Sequence, residues 1–272
     1  MCRRPVVAAA FLLALLTGPA ATLQAQEEDS FQWSRDMERG QTLEVKGITG
    51  EIRAEVASGN RAEVLARKAG DREDFREVAI EVEEVGGDVV ICAVYGSWNH
   101  GTGRCRPGHR DRARDRRHRN VDMDVEVEYL VRVPAGVEFH GSMVSGPVRA
   151  EDLQSDVSAS TVNGDIRVTT TETARAHSVS GDIEIEMGSL PWETMDLHTV
   201  SGDITLWLPD GFAADINFNS LSGDFDTDFD MDVRRQRRGW VGQNLTATIG
   251  GGGGEISIQT VSGDVRLRRA RG

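Results

Sequence analysis

The sequence has few aromatic residues, few cysteines and no long apolar run after its first segment. Aromatic residues make up 6% of the 272 residues, and there are 3 cysteines and 7 prolines. No run after Leu16 is apolar enough for a membrane-spanning helix. The net charge of −13 argues against general nucleic-acid binding. A content of 39% hydrophobic and 28% charged residues excludes a wholly disordered chain, and the length allows a full core.

The first 25 residues have the features of a secretory signal peptide. Arg3 and Arg4 lie near the start of the segment, and residues 6–16 are apolar. Small residues follow, and a cleavage site is expected after Ala25. An uncleaved anchor is the alternative, whereas lipidation would require a cysteine later than Cys2. We therefore expect a signal peptide at 1–25, one domain at 26–272, and no transmembrane helix after cleavage. The expected location is the periplasm, the outer surface or the medium.

Only Cys92 and Cys105 remain after that cleavage. Because an exported chain meets an oxidising compartment, a disulfide between them is the expectation. It would close a small loop and stabilise the fold by at most about 3 kcal/mol. Metal ligation is the alternative, with His100, His109 or His118 as partners, but the spacing matches no standard zinc pattern.

One short pattern recurs along the chain. It consists of an apolar residue, then Ser, Thr or Asn, then Gly and Asp, then an apolar–polar–apolar triplet. Successive glycines from Gly146 to Gly223 are 18, 17, 21 and 21 residues apart. Alternating stretches at 61–68, 76–83, 125–133 and 244–249 are candidates for degenerate copies. The clear copies are centred on Gly164, Gly181, Gly202, Gly223 and Gly263, and weaker ones on Gly50, Gly87 and Gly146.

Each copy predicts a strand, a tight turn and another strand. Glycine permits a positive φ, and Ser, Asn and Asp side chains bond nearby backbone groups in turns. After the turn, apolar and polar residues alternate with the period of a strand. We expect two interior columns from this pattern, one formed by the residues two before each glycine and one by those two after it. The first column contains Val162, Val179 and Val200, and the second contains Ile166, Ile183 and Ile204.

A single two-strand unit cannot bury its apolar face, so neighbouring copies must stack. The sequence predicts an all-β, single-domain β-solenoid, parallel β-helix-like, of roughly twelve rungs of 17–21 residues with one irregular basic loop. A sandwich or propeller of antiparallel hairpins is the alternative, since hairpins also use Asn-Gly turns. Helix is expected at most over 71–78.

Three features together resemble the DUF4097 family. They are the repeated V-S-G-D-I-x-L motif, the phrase V-R-V-P-A-G-V at 131–137, and the glycine run at 250–254 followed by E-I-S-I-Q-T-V-S-G-D. The resemblance covers roughly residues 40–272. It implies an exported bacterial β-solenoid of the kind described as adhesins, set in the cell envelope, with no catalytic residues to carry over. The chain departs from the motif at Pro147, where Asp is expected, and in its basic insert.

One acidic residue recurs directly after the glycine. Like charges at this spacing repel unless they are hydrogen-bonded, solvated or bridged by a cation. The favoured interpretation is that each carboxylate accepts backbone N–H groups of its own turn. The alternative is a calcium ladder, although the known calcium-binding repeat has a period about half as long. The residues are Asp165, Asp182, Asp203, Asp224 and Asp264.

The insert at 96–120 differs in composition from the rest of the chain. Between residues 104 and 119 there are eight arginines against two aspartates, with no apolar period. It is interpreted as a solvated loop beside an acidic body or, alternatively, as a contact for an anionic lipid, an acidic polysaccharide or a protein. The arginines are Arg104, Arg106, Arg110, Arg112, Arg114, Arg116, Arg117 and Arg119.

We therefore expect an exported, non-enzymatic adhesin or envelope-associated scaffold without a cofactor, whose partner and oligomeric state the sequence does not identify. Outward-facing Trp207, with Trp98, Trp192 and Trp240, could also stack on sugars. The alternatives are a solenoid carbohydrate-active lyase or hydrolase and an envelope-stress signalling module. Serines recur in every turn and the histidines are isolated, so no nucleophile or base is singled out.

Overall fold

The computed structural model describes residues 29–95, 105, 124–188, 194–238 and 242–270, with the backbone alone at 235–238. This part of the chain consists of strands, turns and one short 3₁₀ helix at Asp74–Glu77. The strands are β1 (Ser30–Asp36), β2 (Thr42–Lys46), β3 (Gly50–Val56), β4 (Arg61–Gly70), β5 (Val78–Val85), β6 (Asp88–Tyr95), β7 (Val125–Val133), β8 (Glu138–Ser145), β9 (Val148–Leu153), β10 (Val157–Asn163), β11 (Ile166–Thr170), β12 (Ala174–Ser180), β13 (Ile183–Met187), β14 (Thr194–Ser201), β15 (Ile204–Leu208), β16 (Ala214–Ser222), β17 (Phe225–Thr227), β18 (Met231–Arg238), β19 (Gln243–Ile249), β20 (Gly254–Ser262) and β21 (Val265–Arg269).

The strands form two sheets that share one core. Sheet A has ten strands in the order β1-β4-β7-β3-β9-β11-β13-β15-β21-β17. Sheet B has eleven strands in the order β18-β19-β16-β20-β14-β12-β10-β8-β2-β6-β5. In the middle of the molecule each coil contributes one strand to sheet B, turns at a glycine and contributes the next strand to sheet A. The predicted all-β solenoid is therefore confirmed.

Seven such coils stack in parallel with their corners in register, fewer than the roughly twelve rungs predicted, because several alternating stretches form antiparallel strands at the ends. Ile166 pairs with Ile183, and Ile183 pairs with Ile204, so the predicted interior column after the glycine exists. These three isoleucines are at most 1% exposed. Burying an isoleucine contributes about 1.5–3 kcal/mol, so a column of them supplies much of the stability of sheet A. In stacking order the coils are β2–β3, β8–β9, β10–β11, β12–β13, β14–β15, β20–β21 and β16–β17.

The predicted column before the glycine is wrong. Val162, Val179 and Val200 are 40–47% exposed and point away from the core. The residue before each valine is the one that faces inward: Thr161 and Thr199 are at most 4% exposed. The inward positions of sheet B continue an alternation that starts earlier in the strand, and that alternation places the valine on the outer face.

The stacking order departs from the chain order at one place. The coil β20–β21 lies between β14–β15 and β16–β17, although it follows both in the sequence. The weak copy at Gly87 is not a corner between sheets, because Gly86 and Gly87 form the hairpin turn between antiparallel β5 and β6.

The two ends of the stack are built from strands without the corner motif. Of the four candidate degenerate copies, the stretches at 61–68 and 244–249 lie in antiparallel strands β4 and β19, and the stretch at 76–83 runs from the end of the 3₁₀ helix into antiparallel strand β5. The fourth, at 125–133, is β7, which runs parallel to β3. The outermost strand β18 contains four arginines, and charge on an edge strand opposes uncontrolled pairing.

Candidate functional site

The seven corners form a column of glycines that no other residue can replace without movement. From Gly146 onward the corner glycines have φ between +129° and +157°. A Cβ added at Gly181 would lie 2.0 Å from the carbonyl oxygen of Gly164, and one at Gly202 would lie 2.2 Å from that of Gly181. Each corner is therefore pressed against the next, and glycine meets both the conformation and the lack of space.

The aspartates after the glycines form a hydrogen-bonded ladder between coils. The Asp182 N–H donates to Asp165 Oδ1 at 2.9 Å, and the Asp203 N–H donates to Asp182 Oδ1 at 2.8 Å. The ladder continues from Asp203 to Asp264 and from Asp264 to Asp224. The carboxylates thus accept from the next coil and not from their own turn, which corrects the expectation from the sequence.

Pro147 marks the beginning of this ladder. It lacks a carboxylate, yet Gly146 keeps the corner conformation and the Val148 N–H donates to the Asp165 carbonyl oxygen at 3.0 Å. The corner therefore depends on glycine and on backbone bonds between coils, and the carboxylates add to it.

The ladder also contacts arginine at its C-terminal end. Arg266 donates to Asp203 Oδ2 at 2.7 Å and to Asp264 Oδ2 at 3.1 Å. The hydrogen bond from Arg266 lowers the pKa of the Asp203 carboxyl and raises the pKa of Arg266 itself.

The described residues contain no group of three or more His, Cys, Asp or Glu side chains arranged to hold a metal ion.

A column of hydroxyl groups lies inside the corner, and it was not predicted. Thr161 Oγ1 lies 3.1 Å from the Gly146 carbonyl oxygen, and Ser178 Oγ lies 3.4 Å from that of Gly164. These buried hydroxyls donate to carbonyl oxygens of the preceding coil and so satisfy polar groups that water cannot reach. Their signal in the sequence is a Ser or Thr three residues before each corner glycine, from Gly164 onward.

On the outside of sheet B the residues two before each corner glycine form a row that we call the aliphatic ladder. Successive members lie on neighbouring strands of the parallel stack, since Ser180 pairs with Asn163 and with Ser201. All seven are between 40% and 53% exposed. In stacking order they are Ile48, Val144, Val162, Val179, Val200, Val261 and Leu221.

A polar row runs beside the aliphatic ladder on the same face. Ser142 Oγ and Ser160 Oγ lie 2.9 Å apart, and the rings of His177 and His198 have centroids 6.1 Å apart. Both histidines occupy strand positions, as predicted. The row consists of Lys46, Ser142, Ser160, His177, His198, Gln259 and Asn219, each four residues before its corner glycine.

The outer face of sheet A carries charged pairs between neighbouring strands. Arg167 bonds Glu184, and the indole N–H of Trp207 donates to Glu184 Oε1 at 3.3 Å. Trp207 points outward between buried Leu206 and Leu208, as predicted, and is half-buried. The other three tryptophans proposed for sugar stacking, Trp98, Trp192 and Trp240, lie outside the described residues.

A disulfide joins Cys92 to Cys105, with the two Cα atoms 5.8 Å apart. Together with Val90 and half-buried Val94 it forms a small apolar cluster that is separate from the main core. Because Val89 and Ile91 belong to the main core, the cluster lies on the outer face of sheet B. The disulfide therefore fixes Cys105 against β6.

Several residues singled out in the sequence lie outside the described residues. They are the segment 1–25, the histidines His100, His109 and His118, and the arginines Arg104, Arg106, Arg110, Arg112, Arg114, Arg116, Arg117 and Arg119.

The described residues include no helix with the length and apolarity needed to cross a bilayer.

None of the curated proteins matches the sequence. A solved structure from Clostridium sporogenes, described as a proposed cell adhesion protein, is 9% identical with a TM-score of 0.42, covering 88% of this chain and 99% of its own. A proposed adhesin from Bacteroides fragilis is 12% identical with a TM-score of 0.39, covering 89% and 98%. The profile of the family described as Toastrack DUF4097 matches residues 136–268. The resemblance drawn from the repeated corners is therefore confirmed, and residues 136–268 are similar to the DUF4097 family.

Proposed function

We propose that the protein is an exported, non-enzymatic β-solenoid that binds an anionic component of the cell envelope through its basic segment at 104–119. The observation that carries the proposal is the disulfide at Cys105, which fastens this segment to the outer face of an acidic body. The segment contributes +6 to a chain whose net charge is −13, so the rest of the chain is strongly acidic. Such a separation of charge attracts an anionic surface to one place and repels it elsewhere.

The solenoid itself supports a scaffold role. Its acidic corner residues accept bonds from the backbone of the next coil, and its arginines on sheet A pair with neighbouring carboxylates. These groups are used to hold the stack together. The sequence concentrates its arginines in the insert, where an anionic lipid headgroup or an acidic polysaccharide would present the complementary charge.

The test is binding of the purified protein to phosphatidylglycerol vesicles and to polygalacturonate over a range of salt concentrations. We expect binding that weakens steeply with salt, because the contact is electrostatic. Replacing the arginines at 106, 110, 112, 114, 116, 117 and 119 with glutamine, while keeping Cys105, should abolish it.

The matched control replaces Arg234, Arg235, Arg237 and Arg238 of β18 with glutamine and should bind as the unaltered protein does. Binding that both variants retain, or that does not respond to salt, would contradict the proposal. Vesicles and polysaccharide are measured separately, so the result also tells a lipid from a glycan source of the negative charge.

Export is the second part of the proposal. The support is the signal-like segment 1–25 together with a disulfide, which persists mainly in oxidising compartments. Mass spectrometry of the protein recovered from a bacterial periplasm or medium should show a chain that begins after Ala25. A full-length chain with free thiols in the cytoplasm would overturn it.

A further inference from the structure

The aliphatic ladder is a row of exposed apolar side chains on the part of the chain that the structure describes. Its seven side chains are between 40% and 53% exposed, although this residue type is normally buried. Strands stack about 4.8 Å apart, so the ladder runs for about 29 Å along the molecule. Its exposed area is on the order of 400 Å², and apolar patches of this size on soluble proteins are often functional.

The two rows that directly flank the ladder carry no carboxylate, in a protein that is otherwise acidic. On one side lies the polar row that contains Ser160, His177 and His198 and no carboxylate. On the other side the residue next to the corner glycine is Ser, Thr or Asn in all seven coils. Two molecules with a net charge of −13 repel one another, and this strip is where they can approach with the least repulsion.

The repeat itself identifies the partner. A row of seven side chains at a constant spacing is matched along its length only by another row with the same spacing. A second copy of this chain presents such a row, and its Val179 and Val200 have the same separation. We propose that the aliphatic ladder is a self-association surface, on which a second copy docks ladder against ladder to form a two-fold symmetric dimer.

Charge also selects the direction of the dimer. If the two ladders ran in opposite directions, the aspartate ladder of one copy would face that of the other, and carboxylates such as Asp182 would repel. If they run in the same direction, the row that contains His177 and His198 faces the partner's aspartates. The second arrangement also brings each ladder residue opposite its own counterpart. The dimer is therefore parallel and in register.

The first test measures the oligomeric state by sedimentation velocity across a concentration series. Val179 lies at the middle of the ladder, so V179E places two carboxylates opposite each other at the centre of the dimer. We expect the dissociation constant to rise at least about tenfold. V179T, which keeps the shape and the strand preference, should give an intermediate value.

The matched controls are V82E on β5 and V233E on β18, which add the same charge at other exposed valines and should leave the dimer unchanged. Circular dichroism reports whether each variant is folded. A protein that is monomeric at about 100 μM, or a dimer equally stable in V179E and V82E, would overturn the proposal.

The second test establishes the direction by disulfide crosslinking of single-cysteine additions. V144C lies near one end of the ladder and should crosslink to itself in a parallel dimer. V82C should not. Crosslinking of V179C without V144C would show an antiparallel pairing and would overturn the proposed arrangement.

Discussion

The seven middle coils and the two ends of the molecule are held together in different ways. In the middle, every corner presses on the next through its glycine, and from Gly164 onward the aspartate and hydroxyl positions recur as well, so each coil depends on its neighbours. At the ends, antiparallel strands such as β5 and β18 lack the corner, and at one end a disulfide fixes Cys105 to β6. The same kind of change should therefore cost more in the middle than at an end.

The largest effect is expected from Gly181→Ala. The new Cβ would meet the Gly164 carbonyl oxygen at 2.0 Å with a backbone φ of +143°, so both strain and overpacking act. We expect a loss of about 3–5 kcal/mol in the free energy of unfolding. Gly251 also has a positive φ but has open space around it. Gly251→Ala should cost only about 1 kcal/mol, and equal losses in a urea titration would contradict a stacked corner.

A smaller effect separates the inner and outer faces of the same strand. Leu197 is fully buried in β14, whereas Val200 is 40% exposed three residues later. Leu197→Ala should reduce the free energy of unfolding by about 2–5 kcal/mol. Val200→Ala should change it by less than about 0.5 kcal/mol. Thermal unfolding of both variants measures the difference, and a large loss at Val200 would mean that the valine lies in the core after all.

The disulfide should stabilise one end and leave the middle unchanged. Replacing Cys92 and Cys105 with serine should lower the free energy of unfolding by at most about 3 kcal/mol, because it releases a small loop. Hydrogen exchange should become faster in β5 and β6 and stay unchanged in β12 and β14. Uniform acceleration over all of these strands would show that the end is not an independent unit.

The smallest effect is a dependence of stability on pH. The hydrogen bond from Arg266 lowers the pKa of Asp203, so this carboxylate stabilises the folded state fully above the ordinary pKa of aspartate. The contribution is lost as the pH falls through the lower, folded-state pKa. Arg266→Gln should therefore lessen the loss of stability between pH 5 and the strongly acidic range in urea titrations. Arg175→Gln, at an exposed site on β12, is the control and should behave as the unaltered protein.

The sequence predicted the corner and the strand after it, because the glycine and the alternation of Ile166 and Val168 are local signals. It did not predict the strand before the corner correctly, since Val162 is more apolar than Thr161 although Thr161 is the buried residue. Counting the alternation from Ala159 would have placed the valine outside. The antiparallel strands at the ends could not be told from coils, because both alternate apolar and polar residues in the same way.

The position of β20–β21 could not have been read from the sequence either, because its corner has the same residues as the corners on both sides of it. This placement matters for how the molecule assembles. Until β20 is made, the edges of β14 and β16 carry the same motif and are both open, so β16 can dock directly on β14 in the place that β20 later takes. If the chain folds from its N-terminal end, β16 can therefore pair with β14 and form a wrong stack that lacks the coil β20–β21. The correct order requires that β16 does not pair with β14 before β20 is present, and β20 begins more than thirty residues later in the chain.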